Sequence, residues 1–418
     1  MGDMPTQLLS VAEARRRLLE HFPPLKRIEI PLLEAANRVL ASDVKSSLAL
    51  PPFPNSSMDG FAVRAADVRG ASPGRPVRLD VVVDIPAGQA VDSGVGKGQA
   101  ARIMTGAVVP EGADAVVPVE NTDFNQRQPG IPAPEQVQIY QPAAVGENVR
   151  PKGQDVSTGE LVMRAGSRLR PQDLGFLSML GVAMVPVYAK PRVAIFSTGD
   201  ELVDVDQPLE PGKIHDANTA TLLALVSETG AVPVNLGIVR DREEEVSECL
   251  ERAARLGVDL ILSSAGVSVG AFDFVRTVVE KQGSLDFWRV NMRPGKPLAF
   301  GAYHRIPFIG LPGNPVSAFV GFEVFVRPAL LKMSGLESIV RSSLPAALLE
   351  PVESDGRESY LRAIVERQDE RLAARLTGHQ GSGNLRSLVQ ANALLIIPAG
   401  VKSLPAGAEV QAWLLGDV

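Results

Sequence analysis

Small and polar residues gather in short stretches of this chain whose spacing suits phosphate chemistry. Ser197-Thr198-Gly199-Asp200-Glu201-Leu202 follows one apolar run, and Ser263-Ser264-Ala265-Gly266-Val267-Ser268-Val269-Gly270 follows another, with Asp273 opening the next helix-like stretch. A loop of small residues that runs into a helix N-terminus turns backbone N–H groups toward an anion, and the helix dipole adds favourable potential. Ser197, Thr198, Gly199, Gly266, Ser268 and Gly270 are therefore candidates for holding a phosphate. Turns use the same residues, so such a loop taken alone leaves an ordinary turn equally open. Asp200, Glu201, Asp241 and Asp273 fall just after successive apolar runs. Several carboxylates beside a phosphate need a cation, and oxygen ligands with a bound phosphate favour Mg2+. Asp241 or Asp273 taken singly reads as a helix cap. Their coincidence at successive strand ends shifts the reading toward a site.

Two cations lie around a rigid turn in Asn291-Met292-Arg293-Pro294-Gly295-Lys296-Pro297. Arg293 offers a fork of donors and Lys296 a point charge, either of which suits phosphate or another oxyanion. A solvated turn is the alternative for a lone basic pair, but the Pro-Gly-x-Pro frame restricts the chain to one shape. Leu311-Pro312-Gly313-Asn314-Pro315 makes another tight loop before a helix over 316–330.

These loops need a frame that brings them to one edge. Between Pro191 and Leu331 strand-like and helix-like runs alternate: strands at 193–196, 232–236, 260–263 and 287–290, helices at 219–229, 243–256 and 274–281. Alternation of this kind implies right-handed crossovers and a parallel sheet covered on both faces, with ligands beyond the carboxyl ends of the strands. Ser10 and Glu13 form a capping box that opens an amphipathic helix through about His21, and Pro171 to Leu180 reads as a helix ended by Gly181. Residues from about 77 to 156 are rich in Val, Gly and Pro in short runs, which predicts a small, mostly β domain. After Gly335, strand-like runs at 360–365, 372–376, 393–397 and 409–415 predict a small barrel or sandwich. The expected organisation is multidomain α/β plus β: 1–48 with 157–189 as an elongated N-terminal helical region, 49–156 as an inserted β domain, 190–333 as the α/β domain, and 334–418 as a C-terminal β domain.

Composition limits the alternatives. The 418 residues are 45% hydrophobic and carry a net charge of −6, so there is no footprint of bulk nucleic-acid binding and an anionic ligand must find a local basic site. A single cysteine, Cys249, rules out an intrachain disulfide, and the four histidines lack zinc-ligand spacing. No secretion signal and no apolar run of membrane-spanning length are visible, which predicts a cytoplasmic protein with no membrane partner.

Taken in order, the motifs resemble the MoeA family of molybdopterin molybdenumtransferases, related to the E domain of gephyrin. The resemblance rests on Asn55 to Arg64, Arg102 to Ala107, Arg150 to Asp155, Ser197 to Leu202, Ser264 to Asp273, Arg293 to Pro297 and Gly310 to Pro315. It implies a MogA-like α/β domain that binds adenylylated molybdopterin at the cleft of an elongated homodimer. It also implies insertion of molybdate with release of AMP, with Mg2+ as cofactor. Asp59 and Thr105 correspond to residues reaching the cleft from the β domain of the partner subunit, and Asp155 to an acid near the same region. With Asp241, Asp273 and Lys296 they form the implied catalytic set. Asp200, Glu201 and Asp241 are the implied metal ligands, and Arg293, Pro294, Pro312, Gly313 and the cradle residues the implied substrate contacts. Contact with molybdopterin adenylyltransferase and other cofactor-biosynthesis proteins is the partner expectation. Three positions depart from the family pattern. Ala265 stands for a glycine and disfavours φ > 0, Ala271 stands for an acid, and Arg293 stands for a lysine. The alternatives to set against this reading are a molybdopterin adenylyltransferase using ATP and a non-catalytic, gephyrin-like scaffold; tungstate is the alternative oxyanion.

Overall fold

The computed structural model describes residues 8–89, 92–124, 131–265 and 274–416. The chain divides into two compact units, one made of residues 1–42, 165–175 and 183–418, the other of 43–164 and 176–182.

In the larger unit, alternation of apolar side chains builds a six-stranded sheet. Its strands are β1 (Arg192–Thr198), β2 (Val232–Val239), β3 (Leu260–Ser264), β4 (Gly283–Arg289), β5 (Pro297–Tyr303) and β6 (Ile306–Leu311), in the order β2-β1-β3-β6-β5-β4. The helices between and after them are α1 (Ala217–Glu228), α2 (Glu243–Arg255), α3 (Phe274–Gln282) and α4 (Pro315–Gly321). Successive side chains of a strand point to opposite faces. Val193 and Ile195 of β1 accordingly pack with Leu222 and Val226 of α1, while Ala194 and Phe196 pack with Val246 and Leu250 of α2 and Val278 of α3. Burying each large apolar side chain contributes ~1.5–3 kcal/mol. Both faces are covered, as the near-continuous apolar strands require.

The parallel pairings β1 with β2, β1 with β3, and β3 with β6 follow the βα alternation. The sheet is nonetheless mixed, because β5 pairs antiparallel with both β4 and β6. Only His304 and Arg305 join β5 to β6, too short for a crossover, and both have positive φ, 47° and 68°. That turn is ordinarily signalled by Asn-Gly, which the sequence lacks.

The N-terminal helix Val11–Leu19 is capped by Ser10, whose side chain accepts from the Glu13 N–H at 3.2 Å, and it buries Val11, Ala14 and Leu18 against the sheet core. The segments expected to form a helical region hold strands as well. Arg27–Pro31 pairs antiparallel with Met184–Tyr188, because Ile28 and Ile30 alternate with polar residues at strand period rather than helix period. Beyond residue 340 the strands Glu358–Gln368, Arg371–Leu376, Ser343–Leu348, Glu409–Leu414 and Ala393–Ile397 pair in sequence, and the last returns to the first, closing a five-stranded barrel. Met292–Arg293 adds to it in parallel, beside Glu358 and Ser359.

The smaller unit is a five-stranded sheet in the order Ala115–Pro118, Gly60–Val63, Gln99–Ile103, Val77–Ile85, Gln136–Ile139, with Phe61, Val63, Leu79 and Val137 in one of its cores. Among the described residues no helix is long and apolar enough to cross a membrane.

Candidate functional site

The chain leaves β1 toward α1 and β2 on one side and leaves β3 toward α3 on the other, so the carboxyl ends of these neighbours form a switch point where ligands bind in such sheets. A cavity of about 670 Å³ opens there, lined by Thr198, Glu201, Asp216, Asn218, Ser264, Ala265, Pro312 and Gly313 among others. Thr198, Glu201, Pro312 and Gly313 are thus brought together around one cavity. Gly199 has φ 152°, and a Cβ there would lie 2.6 Å from a carboxylate oxygen of Glu201. The glycine lets the Glu201 side chain fold back across the loop.

Ser197 does not face the cavity. It is fully buried, and its hydroxyl contacts Asp216 Oδ1 at 3.2 Å and Thr219 Oγ1 at 2.9 Å. Ser197 therefore braces the start of α1, since Asp216 caps that helix by accepting from the N–H groups of Asn218 and Thr219. Asn218 then ties three loops together, donating from Nδ2 to Ser264 Oγ at 2.6 Å and to the Gly313 carbonyl at 2.7 Å. Its Oδ1 is buried without a hydrogen-bond partner, an acceptor left over at the cavity wall. Neither Asp216 nor Asn218 was singled out in the sequence. The signal was there: an Asp followed two residues later by Asn at a strand-to-helix junction of the same rim.

Three acids stand beside the cavity. The Asp241 N–H donates to Asp200 Oδ1 at 3.4 Å. Burial first, then the neighbouring Asp200 and Glu201 carboxylates, push the Asp241 carboxyl above the ordinary range. Among the described residues no group of three or more His, Cys, Asp or Glu closes into a metal-binding set. Gly266, Ser268, Gly270, Ala271 and Asp273 lie outside the described residues. Ala265 adopts φ 72° despite its side chain, held by its N–H donating to the Leu311 carbonyl at 3.0 Å. The departure from glycine does not exclude the left-handed conformation. A Cβ on Gly313 would approach the Ala265 Cβ to 3.3 Å, so the two loops are in tight contact.

Pro297, which lines the cavity, ends the basic turn. Lys296 is exposed, Pro294 is buried, and Gly295 turns the chain at φ 96°. Arg293 approaches Asp355 at 3.9 Å. Sequence reasoning missed its neighbour Arg362, which is 1% exposed and donates to Ser387 Oγ at 3.0 Å and the Gly381 carbonyl at 3.0 Å. Burial, then the charge of Arg293, lower its guanidinium to about 10. An anion placed between the two guanidinium groups would offset their mutual repulsion. An arginine inside the otherwise apolar run from Tyr360 to Val365 was the available signal.

The other predicted residues belong to the smaller unit. Asp59 Oδ1 accepts from both the N–H and the hydroxyl of Thr105, each at 2.7 Å, and Asp155 pairs with Arg150.

Three family models match the chain in order: the MoeA N-terminal region (domain I and II) over residues 9–181, a probable molybdopterin binding domain over 194–332, and the MoeA C-terminal region (domain IV) over 345–415. Molybdopterin molybdenumtransferase 2 of Mycobacterium tuberculosis is 40% identical over 411 residues, 97% of this chain and 99% of that protein. The molybdopterin molybdenumtransferase of Bacillus subtilis is 36% identical over 414 residues, 98% of this chain and 94% of the relative. Among solved structures, the molybdopterin biosynthesis MoeA protein from Pyrococcus horikoshii superposes with a TM-score of 0.80 at 33% identity, covering 98% of this chain and all of that one (100%).

Proposed function

Because the chain belongs to the MoeA family, and so is a transferase of molybdenum cofactor biosynthesis, we propose that it inserts molybdate into adenylylated molybdopterin with release of AMP. The observation that carries this reading is a cavity at the strand ends lined by Glu201 and by Pro297, the residue that ends the turn carrying Arg293 and Lys296. A pyrophosphate-linked substrate and a metal oxyanion are both anions, and each needs its own counter-charge.

The acids fit magnesium. Burial first, and then Asp200 and Glu201, raise the Asp241 carboxyl, and a divalent cation would relieve the repulsion among the three. Mg2+ commonly takes one or two protein carboxylates and completes its shell with substrate phosphates and water, which suits a group that does not close by itself. When bound, it would neutralise the pyrophosphate and polarise it for attack. Thr198 and the loops at Ala265 and Gly313 shape the pocket around the substrate, cross-tied by Asn218. Arg293, Lys296 and Arg362 hold molybdate, the arginines through forked donors. Two metal–oxygen bonds give way to two metal–sulfur bonds as the departing oxygens take up protons and leave as water. Water adds to phosphorus as the bridging bond breaks, and AMP departs. Asp59, Thr105 and Asp155 are assigned to the same reaction, acting from a partner subunit of a homodimer.

The test is to incubate the purified protein with adenylylated molybdopterin, Mg2+ and either molybdate or tungstate, and to measure AMP and bound metal. AMP release matched by metal incorporation is expected. Adenylylation of molybdopterin from ATP instead, or no binding of the nucleotide, would replace the reading. Asp59→Ala is expected to abolish incorporation while leaving the protein folded; full turnover would remove Asp59 from the mechanism.

A further inference from the structure

Besides the pairing of Met292 and Arg293 with Glu358 and Ser359, the basic turn is held from the barrel side by Arg357 and Asp355. Arg357 donates from Nη1 to the Met292 carbonyl at 3.1 Å, and its Nε and backbone N–H donate to the two Asp355 oxygens at 3.0 and 3.1 Å. The same carboxylate faces Arg293 at 3.9 Å. That is too long for a hydrogen bond, and both side chains are partly solvated, with 41% and 37% exposure. Arg293 is thus drawn weakly by Asp355 on one side and repelled by the buried Arg362 on the other. Asp355 itself never lacks a partner, because Arg357 grips it whether or not Arg293 stays.

We propose that Asp355 is a positioning residue that competes with the incoming oxyanion for Arg293, so that the substrate binds by displacing it and is held loosely enough to move on. The inference rests on the reading of the basic turn as the oxyanion site. A doubly charged anion outbids a single carboxylate at 3.9 Å, and when the anion departs Arg293 returns to Asp355. Ground-state binding tighter than this would lower the rate at which metal leaves for the dithiolene.

Titration calorimetry of the full-length protein with sodium molybdate and with sodium tungstate tests this without any pterin. Asp355→Asn, which keeps the contact with Arg357 but removes the charge, is expected to tighten binding by roughly three- to ten-fold. Asp355→Glu is expected to stay near wild type. Arg293→Gln is expected to weaken binding, and adding Asp355→Asn to it is expected to recover nothing. A merely structural role would weaken binding on substitution and never tighten it. Unchanged or weaker binding in Asp355→Asn, with Arg293→Gln still impaired, overturns the proposal and leaves the oxyanion site standing. Tightening that persists in the double variant also overturns it. Wild-type binding in Arg293→Gln overturns the site itself. Should Asp355→Asn not fold, Asp355→Ala is judged by the same outcomes.

Discussion

Asp200, Glu201 and Asp241 sit in the loops that end β1 and β2, neighbours held by one parallel pairing. Arg293 and Lys296 come from the turn between β4 and β5, and Arg362 from a barrel strand that meets the turn where Met292 and Arg293 pair with Glu358 and Ser359. The acids are exposed or half-buried and crowd one another, whereas the deepest cation is almost wholly enclosed. The contrast teaches that charge is placed in two ways here. Local strand-end loops bring carboxylates close to one another, and a long-range strand pairing sets a buried guanidinium beside the basic turn.

The contrast breaks most sharply at Arg362. Replacing it by Met removes a buried cation that has no carboxylate partner among its described hydrogen bonds. Tungstate binding is expected to fall roughly 10- to 100-fold, the worth of charge-assisted hydrogen bonds. Thermal stability is expected to fall by ~1–3 kcal/mol, because the Gly381 carbonyl and the Ser387 hydroxyl lose their donor. Parallel calorimetry and melting curves check both, and a large loss of stability with unchanged binding would make Arg362 a structural residue.

Gly199→Ala attacks the acid side through the backbone. The φ of 152° and the Glu201 carboxylate 2.6 Å from the added methyl predict a loss of ~1–3 kcal/mol in denaturant unfolding. Lower apparent magnesium affinity in AMP release should accompany it.

Asp241→Asn sharpens the same side. Its raised carboxyl means that the charged form opposes folding, so this cost appears as pH rises through the unfolded and then the folded pKa. The variant is expected to be more stable than wild type at neutral pH by less than ~1 kcal/mol, given the group's exposure. That gain disappears in acid, where Asp241 is protonated in both states. AMP release should fall about tenfold if the carboxylate serves the cation. Unfolding curves across pH, with AMP release, decide it.

The smallest effect belongs to Ala265→Gly. Relieving a left-handed alanine at φ 72° should raise stability by about 0.5–1 kcal/mol in denaturant unfolding, less than the full ~1–2 kcal/mol of the strain because glycine is freer when unfolded.

Legibility in the sequence followed the same division. The strands and helices from Arg192 to Gln282 were readable because their apolar periods are regular, and so were the loops at Thr198, Glu201 and Gly313, which directly follow them. The reversal of β5 was not, because His304-Arg305 makes its turn without the usual residues. Ser197 looked like a ligand and is a brace, since its side chain falls on the buried phase of β1. Arg362 could not be joined to the basic turn by local pattern at all, because their meeting depends on a strand pairing across many residues.

The division of charge is tested most directly by anomalous diffraction from a crystal of the protein soaked in tungstate. The account predicts a tungsten peak within hydrogen-bonding distance of the guanidinium groups of Arg293 and Arg362, with Lys296 nearby. A peak on the acid side, or no peak at the basic turn at saturating tungstate, would contradict it.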